Sequence, residues 1–387
     1  MGRAAESVHD RGMDRTPSHR LLIARGDLHR TTWVPDPDAT RALEPGQARL
    51  AIEQVALTAN NITYAAFGEA MKYWQFFPAP DAAHGCLPTW GFATVVESQA
   101  EGLAVGRRVW GFLPLGTHLV VQPGRLRAGG FMERSPHRAE LAAAYQSYTF
   151  CDADPAWSPA LEGLQAVLKP LFMTAFLLDD FLAEGGFFGA RRLLLSSASS
   201  KTAYATAFCL AQRPRAARPE IVGLTSAART GFVQGLGCYD RVLGYDAVET
   251  LPADETAVYV DFAGDASLRR RVHGHWGDRL AYSSSIGGTH WRALGAGGGL
   301  PGPRPTLFFA PAQAGKRSAP PPEGWGAEAF GQRLGQAWGA FLATVQQGSQ
   351  PWVRIVTRPG TEAAEAAYRA LLDGTADARE GVMLSLR

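Results

Sequence analysis

Residues 191–213 read RRLLLSSASSKTAYATAFCLAQR: a run of leucines, a serine-rich turn, then small residues at helical spacing. This is the layout of a strand, a phosphate-holding turn and a helix. Ser197, Ser200 and Ala203 fall at i, i+3 and i+6. A dinucleotide-binding turn puts small residues at such positions so that its backbone can approach a pyrophosphate and its helix can pack close to the strand. Here serine and alanine stand where glycine is usual. Lys201 adds positive charge beside a helix N-terminus that already favours anions. A serine-rich turn also serves as a plain helix cap, so its chemistry depends on its surroundings.

The next predicted strand, EIVGLTSAARTG (220–231), bears on which dinucleotide would fit. An acidic residue at its end would accept from ribose hydroxyls, whereas a basic one suits a 2′-phosphate. The segment offers Thr225, Ser226 and Arg229 and no acid, which points to NADP(H). Other chemistries lack their residues. There is no G-x-S-x-G elbow, no phosphate-binding P-loop and no H-E-x-x-H. Cys86, Cys151, Cys209 and Cys238 are scattered, and His84 with Cys86, two apart, is a pair that arises readily by chance, so no metal site is expected. Asp179 and Asp180 are adjacent and would diverge on a helix. Arg269–Arg271 reads as an exposed helix face.

These residues need a scaffold, and 387 residues are enough for two domains with a large core. Lys and Arg total 38 against 36 Asp and Glu, a balance that suggests neither nucleic acid nor an anionic membrane as partner. No apolar run approaches the roughly 20 residues of a membrane span. Residues 1–19 are polar and read as a disordered leader, and a cytoplasmic location is expected. From residue 20 to about 125, short alternating segments such as ARLAIEQVALTA (48–59) predict a small antiparallel barrel or sandwich. A long apolar helix follows over 160–186. Strands and helices then alternate, as in a parallel sheet with helices on both faces. Residues 293–325 read as a long loop, and helix–strand–helix–strand follows to the C-terminus.

Three segments resemble the zinc-independent branch of the medium-chain dehydrogenase/reductase superfamily, the quinone oxidoreductases and enoyl-thioester reductases. LTANNITYAAFG (57–68) is similar to their N-P-x-D-Y segment, with Asn60 and Tyr64 matching and Asn61 and Thr63 departing. EGLAVGRRVWGFLPLGTHLVVQP (101–123) resembles a characteristic strand pair, and EAAYRALLDGTADAREGVMLSL (365–386) the closing helix and strand. The resemblance implies an α/β protein with a GroES-like β-barrel catalytic domain (20–155 and 320–387) and a doubly wound Rossmann cofactor domain (156–319). It implies a site in the cleft between them. Tyr64 or Tyr73 would stabilise negative charge or donate a proton, with Asn60 beside them. Thr174, Ser284 and His290 would approach the cofactor. Lys316 and Arg317 read as a solvated charge pair, with a clamp on a carboxylate or phosphate of substrate as the alternative.

The expected activity is NADPH-dependent reduction of an enone, quinone or enoyl thioester, a small-molecule substrate, by a homodimer. Two alternatives stay open: a repurposed scaffold holding a phosphorylated ligand such as a CoA thioester, and a lyase or isomerase using bound cofactor without net redox change.

Overall fold

The computed structural model describes residues 18–286, 299–347 and 351–386. The N-terminal half supplies β1 (His19–Ala24), β2 (Asp27–Pro35), β3 (Ala48–Leu57), α1 (Ala59–Ala66), β4 (His84–Cys86) and β5 (Pro88–Ser98). It continues with β6 (Arg108–Pro114), β7 (His118–Val121), β8 (Pro123–Arg127), β9 (Gly130–Glu133) and β10 (Ser147–Phe150). β3 pairs antiparallel with both β5 and β7, and β5 with β6. The alternation seen in β3 buries Leu50 and Ile52 with Val95, Val109, Phe112 and Tyr148 in one core. β2, β1 and β4 form a separate three-stranded sheet.

The helix α2 (Glu162–Glu184) leads out of the barrel. Then come β11 (Arg192–Leu195), α3 (Lys201–Ala211), β12 (Glu220–Thr225), α4 (Thr230–Gly235), β13 (Arg241–Gly244) and β14 (Ala257–Asp261). α5 (Ala266–Trp276), β15 (Leu280–Ser285), β16 (Thr306–Leu307) and α6 (Ala310–Ser318) follow. All six strands are parallel, in the order β13-β12-β11-β14-β15-β16. This is the doubly wound Rossmann order, and it reverses direction between β11 and β14. Leucine and valine run continuously along these strands because both faces are covered: Leu193, Leu195, Val258 and Val260 face α2 and α3, while Leu194, Val222 and Tyr259 face α5.

The chain returns through α7 (Ala327–Val345), β17 (Arg354–Pro359), α8 (Gly360–Leu372) and β18 (Glu380–Ser385). β18 pairs with β3, Val382 opposite Leu57, so both ends of the chain build the barrel sheet. The sequence reading placed residues 320–345 with the barrel; α7 packs on α2, with Trp338 and Phe341 against Phe172. Ala56, Phe92 and Met383 of the barrel share that core. The fold is therefore a GroES-like barrel joined to a Rossmann unit. Among the described residues no helix is long and apolar enough to cross a membrane.

Three local expectations need correction. The span read as a loop over 293–325 contains β16 and α6, which its Gly and Pro content concealed. Lys316 and Arg317 are no substrate clamp: they fasten α6 to α2, pairing with Glu184 at 2.7 Å and Asp180 at 2.6 Å. Arg269 is not on an exposed face. It is buried, and its guanidinium donates twice to Asp261 Oδ2, at 3.0 and 2.8 Å. Arg270 is exposed, and Arg271 pairs with Glu249 at the surface.

Candidate functional site

One cleft of about 630 Å³ runs from the carboxyl ends of β11 and β14 to the barrel face carrying α1. Its lining includes Asn60, Tyr64, Tyr73, Thr174, Ser197, Ser200, Lys201 and Arg229, so most of the sequence candidates come together.

At the parallel-sheet end, β11 stops at Leu195 and the turn is tied down by side chains. Ser196 Oγ donates to Asp261 Oδ1 at 3.0 Å and accepts from the backbone N–H groups of Phe262 and Ala263 at 2.9 and 3.0 Å. Asp261 Oδ1 also accepts from Gly264 N–H, 2.9 Å, while Arg269 holds its other oxygen. Ser197 adopts φ +50°, the left-handed region that favours glycine. Ser200 caps α3, its hydroxyl accepting from Ala203 N–H at 3.4 Å. Arg229 Nη1 donates to Ser199 Oγ at 3.4 Å, joining the turn after β12 to the turn after β11. Lys201 opens α3 and donates to the Ala378 carbonyl at 2.9 Å, across the cleft in the loop after α8. Burial pushes its ammonium down to about 8; nearby Asp377 and Glu380 oppose the shift and Arg229 adds to it.

The barrel end is aromatic. α1 is aimed by a capping box. Asn61 Oδ1 accepts from Thr58 N–H at 2.7 Å, and Asn61 Nδ2 donates to the Pro88 carbonyl at 2.7 Å. The departure at Asn61 from the reductase segment is thus a structural device that pins α1 to β5. One turn on, buried Tyr64 accepts from Trp90 Nε1 at 3.3 Å. The rings of Tyr64 and Tyr73 lie 4.6 Å apart, and the hydroxyls of Tyr73 and Tyr145 are 3.2 Å apart. Burial raises all three phenols above their ordinary range; hydrogen bonds from Trp90, Asn60 and Tyr145 partly oppose this at Tyr64. In the segment that carries Tyr73, the neighbouring Trp74, Phe76 and Phe77 are core residues. The indole of Trp74 lies where a Cβ on Gly68 or Gly85 would stand, which is why both are glycine.

Between the two ends, Thr174 of α2 lines the wall, its hydroxyl donating to the Pro170 carbonyl at 3.3 Å. Ala363, Ala366, Ala367 and Ala370 present a small-residue face of α8 opposite. Three cofactor candidates lie off the cleft. Ala203 is fully buried in the α3 packing core, Ser284 is buried on β15 between β14 and β16, and Ser226 is half-buried in the turn after β12. Ala203 thereby supplies the small residue that lets α3 pack close to β11. His290 lies outside the described residues. His84 is held by Asp81, 2.8 Å, and Cys86 is buried near Arg20; among the described residues no group of three or more His, Cys, Asp or Glu could hold a metal. Trp90, Tyr145, Ser196 and Asp261 were missed. No local pattern marks them, since each acquires its role from a distant partner.

The search of curated proteins yields no match. Solved structures match over almost the whole length. They include the CurK enoyl reductase (16% identity, 96% of this chain and 100% of that chain, TM-score 0.53) and CurA from Vibrio vulnificus in complex with NADPH (10%, 95% and 99%, TM-score 0.59). The yhdH oxidoreductase from Salmonella enterica in complex with NADP is a third (12%, 95% and 100%, TM-score 0.51). At these identities the likeness shows the fold, that of the medium-chain reductases. The family described as "Protein of unknown function (DUF2855)" matches residues 55–377, and the chain belongs to that family.

Proposed function

We propose that this protein is an NADPH-dependent reductase that works without zinc on an activated C=C or C=O bond. The observation that carries this reading is the construction of the cleft. A cationic helix N-terminus at the switch point of a Rossmann sheet faces a cluster of un-ionised phenols. Solved relatives of this fold named above hold NADPH or NADP.

The residues present fit a dinucleotide phosphate. Lys201 is enclosed at the start of α3, and its hydrogen bond goes to a neutral carbonyl, Ala378 O. Two of its three donor hydrogens can therefore turn to a phosphate oxygen. Ser197 and Ser200 line the turn beside it, and Arg229 reaches the same turn with a guanidinium suited to a 2′-phosphate.

Bound NADPH supplies hydride and is oxidised; with one proton from water the double bond becomes saturated, so atoms and electrons balance. Tyr64 keeps its proton because burial raises its pKa, so it acts as a hydrogen-bond donor and not as a base. Trp90 donates to Tyr64 Oη, which strengthens the phenol as a donor towards a substrate oxygen. A carbonyl oxygen at this hydroxyl would have its developing negative charge stabilised in a site poor in water. Tyr73 and Asn60 complete the polar surface there, and Thr174 stands on the wall between phenols and phosphate turn.

Titration with NADPH and NADH, followed by nucleotide fluorescence, tests this. Micromolar NADPH affinity that weakens at least tenfold in Arg229→Ala, about 1.4 kcal/mol, with NADH affinity unchanged, is the expected result. No binding of either nucleotide at millimolar concentration would sink the reductase reading.

A further inference from the structure

We propose that the aromatic end of the cleft is an acceptor subsite for an uncharged, ring-bearing conjugated ketone, and that Tyr145 determines this specificity. The inference rests on the reductase reading and names its substrate class.

Charge is segregated along the cleft. Among its described lining residues, the ionic side chains are Lys201, Arg229, Arg358, Asp377 and Glu380. Lys201 and Arg229 belong to the phosphate-turn end, Asp377 to the loop after α8, and Arg358 and Glu380 to β17 and β18 beside it: Arg358 pairs with Glu380 at 3.2 Å, Lys201 holds Ala378 and Arg229 holds Ser199. The barrel end is lined by Phe67, Met71, Trp90 and the three phenols, with no ionic side chain. A carboxylate drawn into that end would lose its water and meet no cation. A flat conjugated ring would meet π faces and edges on several sides.

Tyr145 is placed to select for a carbonyl. Its ring meets Tyr64 and Tyr73 edge-on at 6.1 and 5.8 Å, and it lies 6.0 Å from Trp90 and 4.8 Å from Phe112. Its hydroxyl shares a hydrogen bond with that of Tyr73. It also hydrogen-bonds the Tyr64 hydroxyl, and three hydroxyls joined in this way leave one outward hydrogen, enough for a single carbonyl oxygen. The turn that carries Tyr145 is rigidly held. Gln146 next to it donates to the carbonyls of Arg138 and Leu141 at 3.0 and 2.7 Å, and its own carbonyl accepts from Glu133 N–H at 2.8 Å. Tyr145 enters the site from the connection between β9 and β10, outside every segment that resembles a reductase.

The test is equilibrium binding to the full-length protein without nucleotide, read by quenching of tryptophan fluorescence. The probes are 4-phenyl-3-buten-2-one, its para-carboxylate and the hydrocarbon 1-phenyl-1-butene. The ketone should bind at least a hundredfold more tightly than the carboxylate and about tenfold more tightly than the hydrocarbon. Tyr145→Phe should abolish the preference for ketone over hydrocarbon while retaining the rejection of carboxylate and the NADPH affinity. Equal binding of ketone and carboxylate by the wild-type protein overturns the proposal, whatever the variant does. So does a Tyr145→Phe protein that keeps the full ketone preference. Ketone binding with no NADPH binding would instead remove the reductase reading and leave the subsite standing.

Discussion

The two ends of the cleft hold their polar groups by contrasting means. At the parallel-sheet end a charged network is closed: Ser196 to Asp261, Asp261 to Arg269, with three backbone N–H groups drawn in. At the barrel end the network is neutral, with Trp90, Tyr64, Tyr73 and Tyr145 linked by hydroxyl and indole contacts of 3.2–3.3 Å. A buried charged network is rigid because removing one member strands another charge in low dielectric. A neutral phenol network tolerates rearrangement and can lend a proton to something that enters. The first therefore suits a fixed platform for phosphates, the second a place where a substrate oxygen gains charge.

The largest effect should come from breaking the charged network. Asp261→Asn keeps the shape but leaves the Arg269 guanidinium buried without its counter-charge, which should cost about 3–5 kcal/mol of stability. Urea denaturation measures it. Adding Arg269→Met should recover a good part of the loss, because no uncompensated charge remains. If the single variant loses under 1 kcal/mol, the platform is not held by this pair and the contrast between the ends fails.

At the neutral end, the expected effect is smaller and falls on turnover. Tyr64→Phe should leave stability within about 1 kcal/mol, since the ring packing against Tyr73 and Phe112 is kept. It should lower kcat by about a hundredfold, the usual consequence of removing one donor to a developing oxyanion. NADPH affinity should not change. A loss in nucleotide affinity equal to the loss in kcat would mean that the two ends are not functionally separate.

The same contrast explains what could be read in the sequence. The barrel strands and the alternating strand–helix order were legible because period-two burial and continuous apolar runs are local properties of the chain. The turn before α3 was legible because a leucine strand, small polar residues and a helix follow one another within a few residues of chain. Arg269 was not: in the run RRR its burial depends on Asp261 lying at the end of a neighbouring strand. Tyr145 was not either, because its partner Tyr73 is 72 residues away and nothing in LAAAYQSY signals a site. Ala203 and Ser284 are buried off the cleft, Ala203 in the helix–strand packing that its small size serves. Which side of a helix or strand faces the cleft is decided by packing across the sheet, which local sequence does not show.

Lys201 joins the two regimes, as an enclosed charge whose hydrogen bond goes to a neutral carbonyl, and its titration gives the smallest effect. Its folded-state value is depressed from the ordinary 10.5 to about 8, chiefly by burial. Below pH 8 the lysine is protonated in both states, and the folded state bears the whole penalty of keeping that charge enclosed. Between pH 8 and 10.5 the folded protein releases the proton while the unfolded chain retains it, so the unfolded state binds more protons and stability rises with pH. The gain should be about 2 kcal/mol, limited by the water that the cleft admits to the ammonium. Lys201→Met should remove this rise and be more stable than the wild type at pH 7. A phosphate beside Lys201 reverses the preference by favouring the charged form, so nucleotide affinity should fall as pH climbs through 8 in the wild type and stay flat in the variant. Parallel pH profiles of urea midpoint and nucleotide affinity for the two proteins test both signs. Affinity independent of pH in the wild type would place the phosphates away from Lys201 and leave the ammonium to its bond with the loop after α8.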